Sequence, residues 1–221
     1  MHANFWLERW EKNQIGFHEH DINGHLQKFW KTLQTPLSNK IFVPLCGKSR
    51  DILWLLSLGH QVVGVEISPL AVEQFFSANK LQAKVTDCGI FQLWQADNLS
   101  IYLGDFFDLS SDHLTDCTAI YDRAALVALP AEMRQQYVLH LNKITPDLKS
   151  SLLVTLEYAQ EEMSGPPFSV DEDEVHNLFA DTHAIERLFA EDVLQNNDNF
   201  QQRGLSNLVE KVYRLQKNRM S

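Results

Sequence analysis

The sequence predicts an α/β protein built on a mostly parallel sheet, and three observations carry that expectation. Strand-like and helix-like segments alternate along the chain. Residues 39–68, NKIFVPLCGKSRDILWLLSLGHQVVGVEIS, pass from an apolar strand through a tight loop and a helix to a second strand that ends on a carboxylate. Parallel sheets bind nucleotide-like ligands at the carboxyl ends of such strands. No low-complexity linker or fixed-period repeat divides the 221 residues, so a single domain, 1–221, is expected.

The elements follow in order. NFWLERWEKNQIGFHEH is amphipathic, with Trp6 and Trp10 one helical turn apart. It predicts a helix lying across the core rather than inside it, and residues 1–30 as an N-terminal lid segment. IFVPL is the first strand. The helix from about Ser49 to Leu58 stops at Gly59, which can adopt the left-handed C-terminal turn. QVVGVEI is the second strand, and Ser68 with Pro69 opens PLAVEQFFSANK as N-cap and first helical residue.

FQLWQADNLSIYLGDFF reads as a strand pair turning at Asp97-Asn98 and ended by Gly104 and Asp105. TAIYDR is a short buried strand. Pro130 with Glu132 starts a helix whose apolar face is Met133, Tyr137, Leu141 and Ile144, ending near Pro146. SSLLVTLEY is a strand. Ser169 with Glu172 forms a capping box for VDEDEVHNLFA. AIERLF and NLVEKVYRL finish the chain as an antiparallel pair.

Composition narrows the function. Lys and Arg number 19 against 29 Asp and Glu, a formal net charge of −10, with no basic cluster to offset it. A polyanion would be repelled, so nucleic acid is excluded as a partner. No apolar run is long enough to span a bilayer. MHANFWLERWEKN lacks a basic stretch leading into an apolar one, so no signal peptide is expected. Cys46, Cys88 and Cys117 lie far apart without Cys-x-x-Cys spacing and read as reduced thiols of a cytoplasmic protein.

The loop PLCGKSRD decides the ligand class. Gly47-Lys48-Ser49 matches the end of a phosphate loop, but Phe42 stands where that motif needs its first glycine. The three-glycine dinucleotide fingerprint is absent, so a pyrophosphate has no close backbone to lie on. S-adenosylmethionine carries no phosphate, and one glycine suffices for its amino-acid end. On the loop alone an ordinary strand–helix turn is the simpler reading. Glu66 shifts the balance: it follows Gly47 by 19 positions, ends an apolar strand, and suits a bidentate grip on two ribose hydroxyls.

In GDFFDL, Asp105 could receive an adenine amino group and Phe106 cover the ring, although on these residues alone two core phenylalanines and a turn aspartate are the simpler reading. Arg123 ends the TAIYDR strand, where it could hold an anionic acceptor or pair with Asp122. SGPPF is a stiff corner suited to a lid. HEH with His25 lacks a second ligand cluster, so surface histidines and no metal are expected. The acidic run DEDE suits a helix N-terminus.

The strings FVPLCGKSRD, GVEISPLAVEQFF, YDRAALVALP and GPPF, in this order, resemble the thiopurine S-methyltransferase family, in its bacterial branch. The resemblance runs from WLERWEKNQIGFHEH to LVEKVYRL. It implies a class I methyltransferase-like (Rossmann-like) fold: a doubly wound seven-stranded sheet, mostly parallel, with the last strand inserted antiparallel. It implies S-adenosyl-L-methionine contacts at Trp10, Leu45, Glu66, Asp105, Phe106 and Arg123, with Leu45 acting through its backbone. Phe17 and Arg123 match positions beside the acceptor.

Mammalian members carry a second acceptor-side arginine that aligns with Asn199 here, leaving Arg203 as the nearest substitute. The implied activity is S-methylation of small aromatic or heteroaromatic thiols by a monomer, a detoxification chemistry. A thiolate is already nucleophilic, so no catalytic general base is expected. Two alternatives accompany this reading: methylation of selenium or tellurium compounds, and a non-catalytic adenosyl-ligand binding protein.

Overall fold

The computed structural model describes residues 3–16, 18–19 and 21–218. Among the described residues nine strands form one sheet: β1 (Lys40–Val43), β2 (Gln61–Glu66), β3 (Lys84–Cys88), β4 (Phe91–Ala96), β5 (Leu99–Leu103), β6 (Cys117–Arg123), β7 (Ser150–Glu157), β8 (His183–Asp192) and β9 (Val209–Lys217). Their order is β3-β4-β5-β2-β1-β6-β7-β9-β8. The run β5-β2-β1-β6-β7 is parallel throughout. β9 lies antiparallel between β7 and β8.

The seven strands from β5 to β8 are the expected sheet, with the last strand inserted antiparallel as expected. The two additional strands, β3 and β4, extend its edge as an antiparallel hairpin. The pair β4–β5 turns at Asp97, whose φ is +46°, and Asn98. β3 was not expected. All five of its residues are exposed, so it carries no apolar alternation to reveal it.

The helices are α1 (Ala3–Glu11), α2 (Gly24–Phe29), α3 (Asp51–Ser57), α4 (Pro69–Ala78), α5 (Ala131–Ile144), α6 (Glu172–Phe179) and α7 (Asp198–Gln202). Gly59 ends the first βαβ crossover with φ +93°, a conformation that favours glycine. Ser68 Oγ accepts the Ala71 N–H and caps α4 ahead of Pro69.

Two apolar layers flank the sheet. Tyr137, Val138, Leu141 and Ile144 of α5 pack on one face with Val175 and Phe179 of α6. Leu26 of α2, Ile52 and Leu55 of α3, and Val72, Phe75 and Phe76 of α4 pack on the other. Arg134 is also buried on α5: its Nε donates to the Leu129 carbonyl and its guanidinium pairs with Glu174 of α6.

One capping expectation is corrected. Asp171, not Ser169, caps α6, accepting the Glu174 N–H at 2.7 Å. Ser169 Oγ instead accepts the Tyr158 N–H just beyond β7. An aspartate adjacent to the first turn also complements the helix dipole, which a hydroxyl does not.

Candidate active site

The site begins where β1 ends. Leu45 and Gly47 both adopt left-handed backbone, with φ +45° and +52°, and turn the loop sharply. The Cys46 N–H donates to the Val65 carbonyl, and the Gly47 N–H donates to Glu66 Oε2 at 2.8 Å. The Ser68 N–H donates to Glu66 Oε1, also at 2.8 Å. Loop and second strand are thus locked through one carboxylate. Burial raises the Glu66 pKa above its usual value, and the amides of Ser68, Gly47 and Ile67 oppose that rise.

The space beside Gly47 is also tight. A Cβ there would stand 3.2 Å from the Trp10 indole, which lies over the loop from α1. Lys48 makes no phosphate cradle: its ammonium donates to Gln74 Oε1 and sits 5.6 Å from the Trp10 ring centre. Phe42, which displaces the phosphate-loop glycine, is a core residue stacked on Phe106 at 6.5 Å.

At the end of β5 the Gly104 N–H donates to the Glu66 carbonyl, which sets Asp105 beside the second strand. Asp105 Oδ1 accepts the Phe107 N–H at 2.9 Å. Phe106 borders the cavity but is only 2% exposed, with its ring against Phe42, Tyr137 and His140. Its ring therefore serves the core first, the simpler of the two readings of GDFFDL.

The third contribution comes from β6. Successive strand residues face opposite sides, and Asp122 and Arg123 part accordingly. Asp122 accepts from the Tyr137 hydroxyl at 2.7 Å and from the Leu126 N–H at 3.1 Å; burial raises its carboxyl to about 6. Arg123 does not pair with it. Its guanidinium forms an ion pair with Glu19, on the segment between α1 and α2, and lies 4.0 Å from the Asp51 carboxylate.

Asp51 is buried at the start of α3 and accepts from the Tyr121 hydroxyl at 2.9 Å and the Asn23 N–H at 2.8 Å. Asn23 in turn caps α2, accepting the N–H groups of His25 and Leu26. Asp51 therefore fastens the N-terminal segment to β6.

Trp10, Leu45, Gly47, Glu66, Asp105 and Arg123 border one cavity with a largely apolar lining. Beyond Arg123 it opens into a wider, more polar groove that also borders Pro166 and Pro167. Arg203 lies in this outer groove with Asn199, Phe200 and Glu210, exposed at the end of α7. It does not reach the inner cavity. Phe17 and His20 lie outside the described residues. His18 borders the cavity and His25 Nε2 sits 2.9 Å from Glu210 Oε2, so neither is the simple surface histidine expected. Among the described residues no three His, Cys, Asp or Glu side chains converge on a metal site.

The family model described as thiopurine S-methyltransferase matches residues 1–218. The chain belongs to the thiopurine S-methyltransferase family. A thiopurine S-methyltransferase of Pseudomonas fluorescens (strain Pf0-1) is 47% identical over 215 residues, covering 97% of this chain and 99% of its own. One of Bordetella petrii is 48% identical over 217 residues, covering 98% and 99%.

Among solved structures, an S-adenosylmethionine-dependent methyltransferase of Anabaena variabilis superposes with a TM-score of 0.63 at 12% identity, covering 98% of this chain and 95% of its own. A 1,6-didemethyltoxoflavin N1-methyltransferase of Burkholderia thailandensis, solved with S-adenosylhomocysteine, gives 0.62 at 13% identity, covering 98% and 87%. Both likenesses are of fold.

The donor set of this cavity suits the family's methyl donor, S-adenosylmethionine. The deep carboxylate of Glu66 keeps lone pairs beyond the bonds it accepts from the loop and strand-end amides, and the loop offers backbone rather than a phosphate cradle. An adenosyl group ending in an amino acid fits these residues. Sequence reasoning missed Glu19, Asp51 and Tyr121. Glu19 stood inside HEH, where the histidines drew attention, and Asp51 read only as the start of a helix.

Proposed function

We propose that this family member transfers the methyl group of S-adenosyl-L-methionine to the sulfur of small aromatic or heteroaromatic thiols, thiopurines among them. One observation carries the proposal: a buried carboxylate locked to the glycine loop, Glu66, borders the same cavity as a guanidinium, Arg123. The first is suited to a neutral diol and the second to an anionic sulfur. The comparisons favour neither the selenium and tellurium alternative nor the non-catalytic one.

When bound, the donor supplies an electrophilic methyl group on a sulfonium. Glu66 would accept hydrogen bonds from the ribose hydroxyls, the backbone at Leu45 would meet the amino-acid end, and Asp105 would accept from the adenine amino group beside the largely buried Phe106. Trp10 would exclude water from above the loop, as expected of the N-terminal segment of residues 1–30; the second expected aromatic, Phe17, lies outside the described residues.

Arg123 orients the acceptor and offsets its charge, and Arg203 meets the outer part of larger acceptors from the groove. An aryl thiol ionises more readily than a cysteine, whose pKa is about 8.5, so the acceptor arrives as its own nucleophile. The neighbouring hydroxyls of Tyr121 and Tyr137 and the thiol of Cys46 are all raised by burial and stay protonated. None serves as a base. Holding donor and acceptor in line contributes up to roughly 7–11 kcal/mol, and a dry cavity disfavours separated charges more than the charge-dispersed transition state.

Among the described residues the exposed large apolar side chains are Leu37, Val85, Ile90 and Leu139, from three separate parts of the chain, which supports a monomer. Three unbridged cysteines suit the cytoplasm, and capping reactive thiols suits detoxification. No described helix is long and apolar enough to cross a membrane.

Isothermal titration with S-adenosylhomocysteine, with ATP and NAD as controls, tests the donor half. Methyl transfer to a panel of aryl thiols tests the acceptor half. Binding of the adenosyl ligand alone together with turnover of a thiol supports the proposal; absence of binding by folded protein refutes it.

A further inference from the structure

The guanidinium assigned to the acceptor already has a carboxylate on it. Arg123 is 15% exposed at its side chain, and Glu19 is half exposed at 49%. Asp51 stands 4.0 Å from the same guanidinium but is itself only 2% exposed. The two carboxylates differ in how they are held. Asp51 is fixed by the Tyr121 hydroxyl and the Asn23 N–H. Glu19 lies on irregular chain between α1 and α2, on the rim of the outer groove. Glu210, also on that rim, sits against His25.

Of the two carboxylates within 4.0 Å of the Arg123 guanidinium, Glu19 is therefore the exposed one and the one an incoming anion can displace. An incoming carboxylate competes for Arg123 like for like, because a planar carboxylate matches a guanidinium in two parallel hydrogen bonds. A thiolate sulfur does not make that fork. Displacing Glu19 thus matters more to an acceptor carrying a carboxylate than to one whose only anion is its sulfur.

Resting on the acceptor role assigned to Arg123 above, we propose that Glu19 is a specificity-determining residue. By occupying the Arg123 guanidinium it selects against thiols that bear a second negative charge. It acts through Arg123 and is a positioning residue, without a part in the bond-making step.

The test compares 4-mercaptobenzoate with benzenethiol at saturating S-adenosylmethionine, in wild type, Glu19→Gln and Glu19→Asp. In Glu19→Gln the ratio of kcat/KM for the carboxylated over the uncharged thiol rises about two- to fivefold, the range expected for a part-exposed ion pair. The rise is carried by a lower KM for 4-mercaptobenzoate. Glu19→Asp, which keeps the charge, returns the ratio toward wild type. In an Arg123→Gln background the Glu19→Gln substitution no longer changes the ratio, a result that a purely structural role for Glu19 would not give.

A ratio that is unchanged or lowered in Glu19→Gln, with wild type active on benzenethiol, overturns this inference alone. A folded wild-type protein that methylates neither thiol overturns the proposed function and this inference with it.

Discussion

Replacing Glu66 with glutamine keeps the volume and removes the charge, so it isolates what the carboxylate contributes to donor binding. Both oxygens are already committed: Oε2 accepts from Gly47 and Oε1 from Ser68, each at 2.8 Å. A glutamine offers one oxygen, so its NH2 must face an amide N–H or turn toward the ribose. Hydrogen bonds to a charged group contribute about 1.5–3 kcal/mol each. Loss of one such bond to the ribose predicts a tenfold to hundredfold weaker affinity, on the scale of about 1.4 kcal/mol per factor of ten.

Titration calorimetry with S-adenosylhomocysteine at neutral pH measures the affinity, and thermal unfolding without ligand checks that the variant is folded. The same carboxyl has its pKa raised by burial. It gains a proton as pH falls through that raised value, so wild-type affinity weakens there while Glu66→Gln does not follow. An affinity within twofold of wild type, in a folded variant, would refute the ribose assignment.

Gly64 of β2 faces Cys46, and a Cβ there would stand 2.8 Å from its Sγ. Gly64→Ala is expected to destabilise by about 1–3 kcal/mol through overpacking, and adding Cys46→Ala should recover much of the loss in denaturant unfolding; equal stabilities of single and double variants would contradict the contact. Asp51→Ala orphans the Asn23 N–H and the Tyr121 hydroxyl and is expected to cost about 2–4 kcal/mol. Asp51→Asn keeps an acceptor for the Asn23 N–H and an NH2 that can donate to the Tyr121 oxygen, so it should lose less stability than Asp51→Ala.

Asp122 has its carboxyl raised from 3.8 to about 6 by burial. The native state holds that proton where the unfolded chain has lost it, so the group's contribution is complete below the unfolded value and disappears as pH rises through about 6. The shift corresponds to something on the order of 3 kcal/mol. Unfolding free energy should therefore climb more steeply between those two values in Asp122→Asn than in wild type, and parallel curves would discredit the shift.

The sequence was most legible where local chemistry and packing agree. Ser68-Pro69, Gly59 and the Asp97-Asn98 turn each have one conformational role, and each adopts it. The apolar strands β1, β2, β6 and β7 sit where their composition puts them, in the middle of the sheet. β3 was illegible because an exposed edge strand needs no apolar pattern. The cap of α6 was misassigned because Ser169 and Asp171 both have capping chemistry, and only the fold reveals that Ser169 is taken by Tyr158.

In the site, spacing pointed to Glu66 because loop and strand are neighbours in sequence. The partner of Arg123 could not be found that way. Glu19 lies some hundred residues earlier, and the local alternative, Asp122, points to the opposite face and bonds Tyr137. Arg203 read as an acceptor residue from its closeness to Asn199 in sequence, yet both stand in the outer groove.

The insertion of β9 between β7 and β8 has a consequence for synthesis on the ribosome. Each of the strands β2, β5, β6 and β7 finds its sheet neighbour among strands already made. β8 does not, because the strand on which it pairs is translated after it, ending roughly 25 residues later. At 5–20 residues per second, that interval lasts on the order of one to five seconds. Throughout it β7 has an open margin and β8, with Ile185, Leu188 and Phe189, has no bed to lie on. A released chain that stops before Val209 lacks the strand that joins β7 to β8 and leaves both margins unpaired, the kind of open edge on which other chains can pair.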